Sequence, residues 1–110
     1  MKHLLTLLTL FVTLCTSLYA QDKAVSENLN VNGTSRNMLV YAPADLPENA
    51  PLLISLHGMN QDATYQQNQA NWENVAKTEK FVVVYPNGID KYWDIQTETN
   101  NRDLNFLSAI

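Results

Sequence analysis

The sequence predicts an α/β fold in which an antiparallel hairpin leads into a parallel β-α-β unit. Three observations predict it. A nearly all-apolar run, Leu52 to Leu56, and a continuous apolar run, Phe81 to Tyr85, lie on either side of a helix-patterned stretch. Runs of that length, apolar on both faces, suit strands buried on both sides of a sheet. Two further strand-like runs, Leu29 to Val31 and Met38 to Tyr41, flank Asn32-Gly33, a strong two-residue hairpin signal. Strand, helix and strand within about 35 residues also match the span of a βαβ unit, whose strands lie parallel with a right-handed crossover.

The 110 residues are enough for one ordinary domain at most. With 16% charged and 45% hydrophobic residues, the chain is neither a disordered tail nor a multi-span membrane protein. A formal net charge of −4 argues against nucleic acid or an anionic membrane surface as a partner, since both need a basic face.

Residues Met1 to Ala20 have the layout of a secretory signal peptide. Lys2 gives a positive start, Leu4 to Leu18 is apolar and uncharged, and the small residue Ala20 precedes polar Gln21-Asp22. The apolar core is shorter than the roughly 20 residues of a membrane-spanning helix. The expectation is cleavage after Ala20, secretion to an extracellular or periplasmic space, and no membrane span afterwards. The sole cysteine, Cys15, lies inside this segment. A cleaved chain would have no disulfide, thiol nucleophile or thiolate metal site. Cys15 as a lipid-attachment site fits less well, because Val12-Thr13-Leu14 is a poor lipoprotein box.

Along the mature chain, Gln21 to Glu27 is a polar lead-in. Strands are expected at about 25–31 and 35–42 around the Asn32-Gly33 turn. Asn32-Gly33-Thr34 also fits the N-glycosylation pattern, but the turn chemistry already explains it. Pro43, Pro47 and Pro51 punctuate a surface loop. The strand Leu52 to Leu56 follows. Asn60 to Asn71 is polar, with Asp62 as a helix N-cap. Trp72 to Lys80 reads as a helix with Trp72, Val75 and Ala76 on its apolar face. Phe81 to Tyr85 is the next strand, ended by Pro86-Asn87-Gly88. Asn101 to Ile110 begins a further helix, with Leu104, Leu107 and Ala109 as its apolar side. Asp103 caps that helix or favours its N-terminus electrostatically. A domain of these elements alone would leave a sheet and a helix half covered, so the sequence is expected to be incomplete.

His57 is the only histidine outside the leader. The three glycines, Gly33, Gly58 and Gly88, are far apart, so a Gly-x-Ser-x-Gly elbow, phosphate-binding glycine loops and His-based zinc motifs are absent. No cofactor or metal is expected. In open α/β sheets, ligands bind just past the carboxyl ends of strands, which makes His57-Gly58-Met59 a candidate backbone-lined pocket. The bland reading is a strand-end turn that the His57 side chain helps to hold. The functional reading is an oxyanion hole: acyl transfer needs backbone N–H groups aimed at the oxygen that becomes negative. Met59 would supply one, and Gly58 would permit close approach. Trp72, Phe81 and Tyr85 are read as core, and Tyr92-Trp93 as part-exposed.

A longer pattern narrows the possibilities. It runs Arg36…Leu39-Val40-Tyr41-x-Pro43, Pro51-Leu-Leu-Ile-Ser-Leu-His-Gly58-x-x-Gln61, Trp72…Ala76, Phe81-Val-Val-Val-Tyr-Pro-Asn-Gly88, Trp93-Asp94 and Asp103-Leu-x-Phe-Leu107. In order and spacing it resembles the N-terminal part of the secreted α/β-hydrolase esterases that include polyhydroxybutyrate depolymerases, feruloyl esterases and acetylxylan esterases. The resemblance covers nearly all of the mature chain. It implies hydrolysis of carboxylic esters by a serine nucleophile, on acylated plant-wall polysaccharide or a polyester. It implies an oxyanion-hole N–H at Met59, shaped by His57 and Gly58, with Gln61, Trp93 and Asp94 near the mouth of the site. In that family the serine, acid and base come after the helix that begins near Asp103, and none is present in this sequence. The competing reading is a small secreted, non-catalytic module for glycan binding or interaction, with Tyr92-Trp93 as platform. Against it, a complete module of this kind would expose buried-type strands such as Phe81 to Tyr85.

Overall fold

The computed structural model describes residues 23–110. The expected leader, with Cys15, lies outside the described residues. Four strands form one mixed sheet in the order β1-β2-β4-β3: β1 (Val25–Val31), β2 (Thr34–Tyr41), β3 (Leu52–Ile54) and β4 (Val82–Pro86). Three helices complete it: α1 (Ala63–Ala70), α2 (Glu73–Glu79) and α3 (Arg102–Ala109).

The hairpin forms where the turn chemistry puts it. Val31 pairs with Thr34, leaving Asn32 and Gly33 as a two-residue loop with φ of 51° and 86°. Both residues thus occupy the left-handed region that such a tight turn requires, and that region suits Asn and Gly. Asn30 Oδ1 accepts the Gly33 N–H at 3.0 Å and braces the loop. β2 then pairs antiparallel with β4, and β4 pairs parallel with β3.

β4 is the interior strand. Val83, Val84, Tyr85 and Pro86 are all buried. Val83 and Tyr85 join Tyr41, Ala63 and Ala76 in the core beneath α1 and α2, with Leu39, Leu53 and Phe81 packed around them. Each large apolar side chain buried there contributes roughly 1.5–3 kcal/mol. Because side chains alternate along a strand, Arg36 in β2 faces the opposite side from Leu39 and Tyr41. On that side it meets Phe106 of α3. The sheet is therefore covered by α1 and α2 on one face and by α3 on the other.

Three expectations need correction. β3 is shorter than Leu52 to Leu56 and is not buried on both faces. It is one of the two edge strands of the described sheet, with β1, and Leu52 and Leu56 remain 48% and 44% exposed. The exposure anticipated for Phe81 to Tyr85 thus falls on β3 instead. On α2 only Ala76 is buried, while Trp72 and Val75 stay substantially exposed. On α3 the inward residues are Asp103 and Phe106, while Leu104 is 59% exposed. The helix is anchored by a charge pair and one ring, which a purely apolar stripe cannot reveal.

α1 has few apolar residues and is held at its ends. Asp62 accepts the Tyr65 N–H at 2.8 Å, and Asn71 closes the helix in the left-handed region with its N–H on Gln67 O. Gln66 ties it to Ser55 of the β3 exit, and Gln67 ties it to Glu73 of α2. Tyr85 reaches from the core to the start of α2. Its hydroxyl donates to Glu73 Oε2 and accepts the Trp72 N–H. Burial, and then the Glu73 carboxylate beside it, push its pKa well above the usual phenol range.

Candidate functional site

β3 and β4 run parallel, so their carboxyl ends lie side by side, and the segments that leave them meet. His57-Gly58-Met59-Asn60 follows β3, and Asn87 to Asp94 follows β4. Four interactions bind the two segments together. Gly88 N–H donates to His57 Nε2 at 3.0 Å. Trp93 Nε1–H donates to His57 O at 2.8 Å. The Trp93 and His57 rings stack with centroids 4.7 Å apart. Asn60 N–H donates to Lys91 O at 2.9 Å.

The donation from Gly88 assigns the tautomer of His57. Nε2 must present its lone pair, so Nδ1 carries the proton and donates it to Gly58 O at 2.7 Å. The residue is 3% exposed. With its lone pair occupied and its edges covered, His57 holds the turn and does not offer itself as a base.

The turn itself closes with Gln61 N–H on Gly58 O at 3.2 Å, and Asn60 takes the positive φ, 61°. Gly58 is not in that region. Its lack of a side chain instead admits Gln61, whose Oε1 accepts the Gly58 N–H at 2.8 Å. Of the four consecutive amides from Gly58 to Gln61, three therefore have acceptors. Met59 N–H, at the first corner of the turn, has none among the described residues. Met59 is also 79% exposed. A backbone donor without an acceptor among the described residues thus lies on an exposed residue past the carboxyl edge of a parallel strand pair, on a turn fixed from both sides.

Gln61 and Trp93 bond to the turn itself, whereas the Asp94 carboxylate bonds to its own loop. Gln61 and Trp93 are engaged as described. Asp94 Oδ1 accepts the Gln96 and Thr97 amides at 3.1 and 3.0 Å. Its pKa is lowered, first by the Thr97 side-chain hydrogen bond and then by those two amides. In the segment that follows β4, Tyr92 is 47% and Ile95 is 90% exposed.

Sequence reasoning gave Asp103 a role only at the start of its own helix, and gave Arg36 none beyond its place in the pattern. Arg36, 3% exposed, donates from Nη2 to Asp103 Oδ1 at 2.7 Å and to Asn87 O at 3.3 Å. Its guanidinium lies 4.3 Å from the centre of the Phe106 ring. Asp103 Oδ2 accepts the Asp94 N–H at 2.6 Å. Asn101, not Asp103, caps α3, accepting the Asp103 and Leu104 amides. Asp103 sits in the first turn, where a negative charge is favoured. The available signal was a single arginine on the Met38 and Val40 face of an otherwise apolar strand end. A cleft of about 170 Å³ lies away from the turn, between the hairpin tip and α3, with Arg36 and Arg102 in its wall. Asp103 pairs with both arginines, at 2.7 Å and 3.6 Å.

Gly88 is the tight point of the loop pair. A Cβ there would run into the Tyr92 carbonyl oxygen. Gly88→Ala is expected to cost about 1–3 kcal/mol, because backbone rather than a side chain must move. Gly58→Ala should cost less, since its Cβ meets only the flexible Gln61 amide, 3.0 Å away. Thermal unfolding of the two variants checks the order.

No family model matches the chain. Over 90 residues it is 44% identical to the bifunctional acetylxylan esterase/xylanase XynS20E of Neocallimastix patriciarum, covering 80% of this chain and 13% of that protein. Over 70 residues it is 36% identical to poly(3-hydroxyalkanoate) depolymerase C of Paucimonas lemoignei, covering 64% of this chain and 16% of that protein. Among solved structures, the LpqC poly(3-hydroxybutyrate) depolymerase from Bordetella parapertussis superposes with a TM-score of 0.54 at 18% identity. That match covers 68% of this chain and 25% of the depolymerase. The chain forms part of an α/β-hydrolase fold. Its homologues and structural neighbours are esterases and depolymerases of this type, matched over part of the chain. The chain spans 13% and 16% of the lengths of the two relatives.

Proposed function

We propose that this chain carries the oxyanion-hole segment of a secreted carboxylic ester hydrolase. The serine nucleophile and its acid and base partners would come from residues that follow Ile110. The observation that carries this reading is the Met59 N–H, without an acceptor among the described residues, on an exposed turn past the carboxyl end of β3. When a nucleophile attacks an ester carbonyl, negative charge grows on the oxygen. A preset N–H stabilises that charge without reorganising. His57 and Gly58 shape the turn, and Gln61, Trp93 and Asp94 frame its mouth.

The names of the two relatives support the substrate class: acyl groups on a plant-wall polysaccharide, or a polyester. The leader-like Met1 to Ala20 supports secretion. The test uses a chromogenic acyl ester. The 110-residue chain alone is expected to give no turnover. The chain extended through its downstream codons is expected to contain a Gly-x-Ser-x-Gly and to hydrolyse the ester. Turnover by the 110 residues alone, or an extension with no such elbow, overturns the proposal. Saturable binding of an oligosaccharide by the 110 residues, together with such an elbow-free extension, would favour a non-catalytic module built on Tyr92.

A further inference from the structure

We propose that Arg36 and Asp103 are a positioning pair for the His57–Met59 turn, acting on it through two separate peptide groups. The inference rests on the reading of Met59 as the oxyanion donor, but its geometry stands independently. The first route runs through the Asn87–Gly88 peptide. Arg36 Nη2 donates to Asn87 O at 3.3 Å, and the N–H of the same peptide unit donates to His57 Nε2 at 3.0 Å. The peptide is planar. Holding its oxygen therefore aims its N–H.

The second route runs through Asp103. Its Oδ1 takes Arg36 Nη2 at 2.7 Å and its Oδ2 takes the Asp94 N–H at 2.6 Å. That N–H belongs to the Trp93–Asp94 peptide. Trp93 in turn donates to His57 O and stacks on the His57 ring. One guanidinium thus controls both the edge and the face of His57, two residues before Met59.

Arginine is suited to this position where lysine is not. Nη2 holds the Asp103 carboxylate and the Asn87 carbonyl while Nη1 holds Arg102 O, and one ammonium on a flexible stem cannot reproduce that planar spread over two nitrogens. The remaining support fixes the plane. Phe106 lies under the guanidinium, and Nη1 donates to Arg102 O at 3.3 Å. Among the described residues, no buried side-chain polar atom lacks a partner. The pair is therefore complete before any substrate arrives, as a preset device must be.

The experiment is amide and indole hydrogen exchange by NMR on the chain extended through its downstream codons, with no ester present. Two variants are compared with the parent: Arg36→Lys, and the apolar swap Arg36→Met with Asp103→Leu, which leaves no unpaired charge. Tyr85→Phe is the control, since it breaks hydrogen bonds to Trp72 and Glu73 on the other face. The expected result is exchange at the Gly88 amide and the Trp93 indole faster by about tenfold or more in both variants. The Ser55 and Val82 amides of the β3–β4 ladder should stay within about twofold of the parent. The Met59 cross-peak should shift in both variants, and Tyr85→Phe should alter none of these three sites.

Unchanged exchange at Gly88 and Trp93 overturns the proposal. So does equal acceleration at Ser55 and Val82, or loss of the fold in both variants, because the pair would then serve the whole sheet. Since exchange needs no turnover, failure of the esterase reading leaves this result intact, and the converse also holds.

Discussion

Replacing Asp103 by alanine is expected to lower folding stability by about 3–5 kcal/mol, the range for removing one partner of a buried ion pair. The side chains of Arg36 and Asp103 are only 3% and 5% exposed. Without the carboxylate, the guanidinium keeps its charge inside the fold and loses its 2.7 Å partner. The Asp94 N–H loses its acceptor as well. The large cost therefore comes from what is left behind, not from the pair's own attraction. This is why the double change Arg36→Met with Asp103→Leu should recover most of the loss: it removes both charges and fills the space above Phe106. Urea unfolding of Asp103→Ala and of the double variant measures the two losses side by side. A single-variant loss under about 1 kcal/mol, or a double variant no better than the single, would show that water reaches the pair and screens it.

That pair also marks the limit of what the sequence could reveal. The hairpin was legible because its information is local: Asn32-Gly33 and the runs on either side lie within 17 residues. The Asp62 cap and the interior strand at Val82 to Pro86 were legible for the same reason. The His57-Gly58-Met59 turn was found because a short apolar run ends there. What holds the turn was not. Arg36 and Asp103 are 67 positions apart, and His57 and Gly88 are 31 apart. Nothing in residue periodicity links such positions, and only the meeting of β2, β4 and α3 does. The face of α3 was misjudged on the same account. Leu104 and Leu107 are what a hydrophobic pattern selects, yet Asp103 and Phe106 are the residues that Arg36 draws inward. Edge placement of β3 likewise depends on strand order, which composition does not encode.

In a form of the protein extended through its nucleophile, Met59→Pro is expected to reduce kcat by roughly 10²–10³-fold, the usual loss for one oxyanion-hole donor. Proline removes the one group at issue, the N–H, and retains the carbonyl. It also narrows the backbone of the preceding residue, so the loss must be weighed against stability. Met59→Ala provides the comparison. The methionine is 79% exposed and contributes little packing, so alanine should leave kcat within about threefold while keeping the N–H. The neighbouring amides cannot substitute in the proline variant, because Gly58, Asn60 and Gln61 are already bonded to Gln61 Oε1, Lys91 O and Gly58 O. The change should fall on kcat more than on KM, since the interaction strengthens as charge develops on the oxygen. Thermal unfolding separates the two causes of failure. A proline variant that melts with the parent and yet turns over slowly has lost the donor; one that unfolds early has lost the turn. If alanine and proline reduce kcat equally, the side chain and not the amide serves the reaction, and the donor must be sought outside this turn.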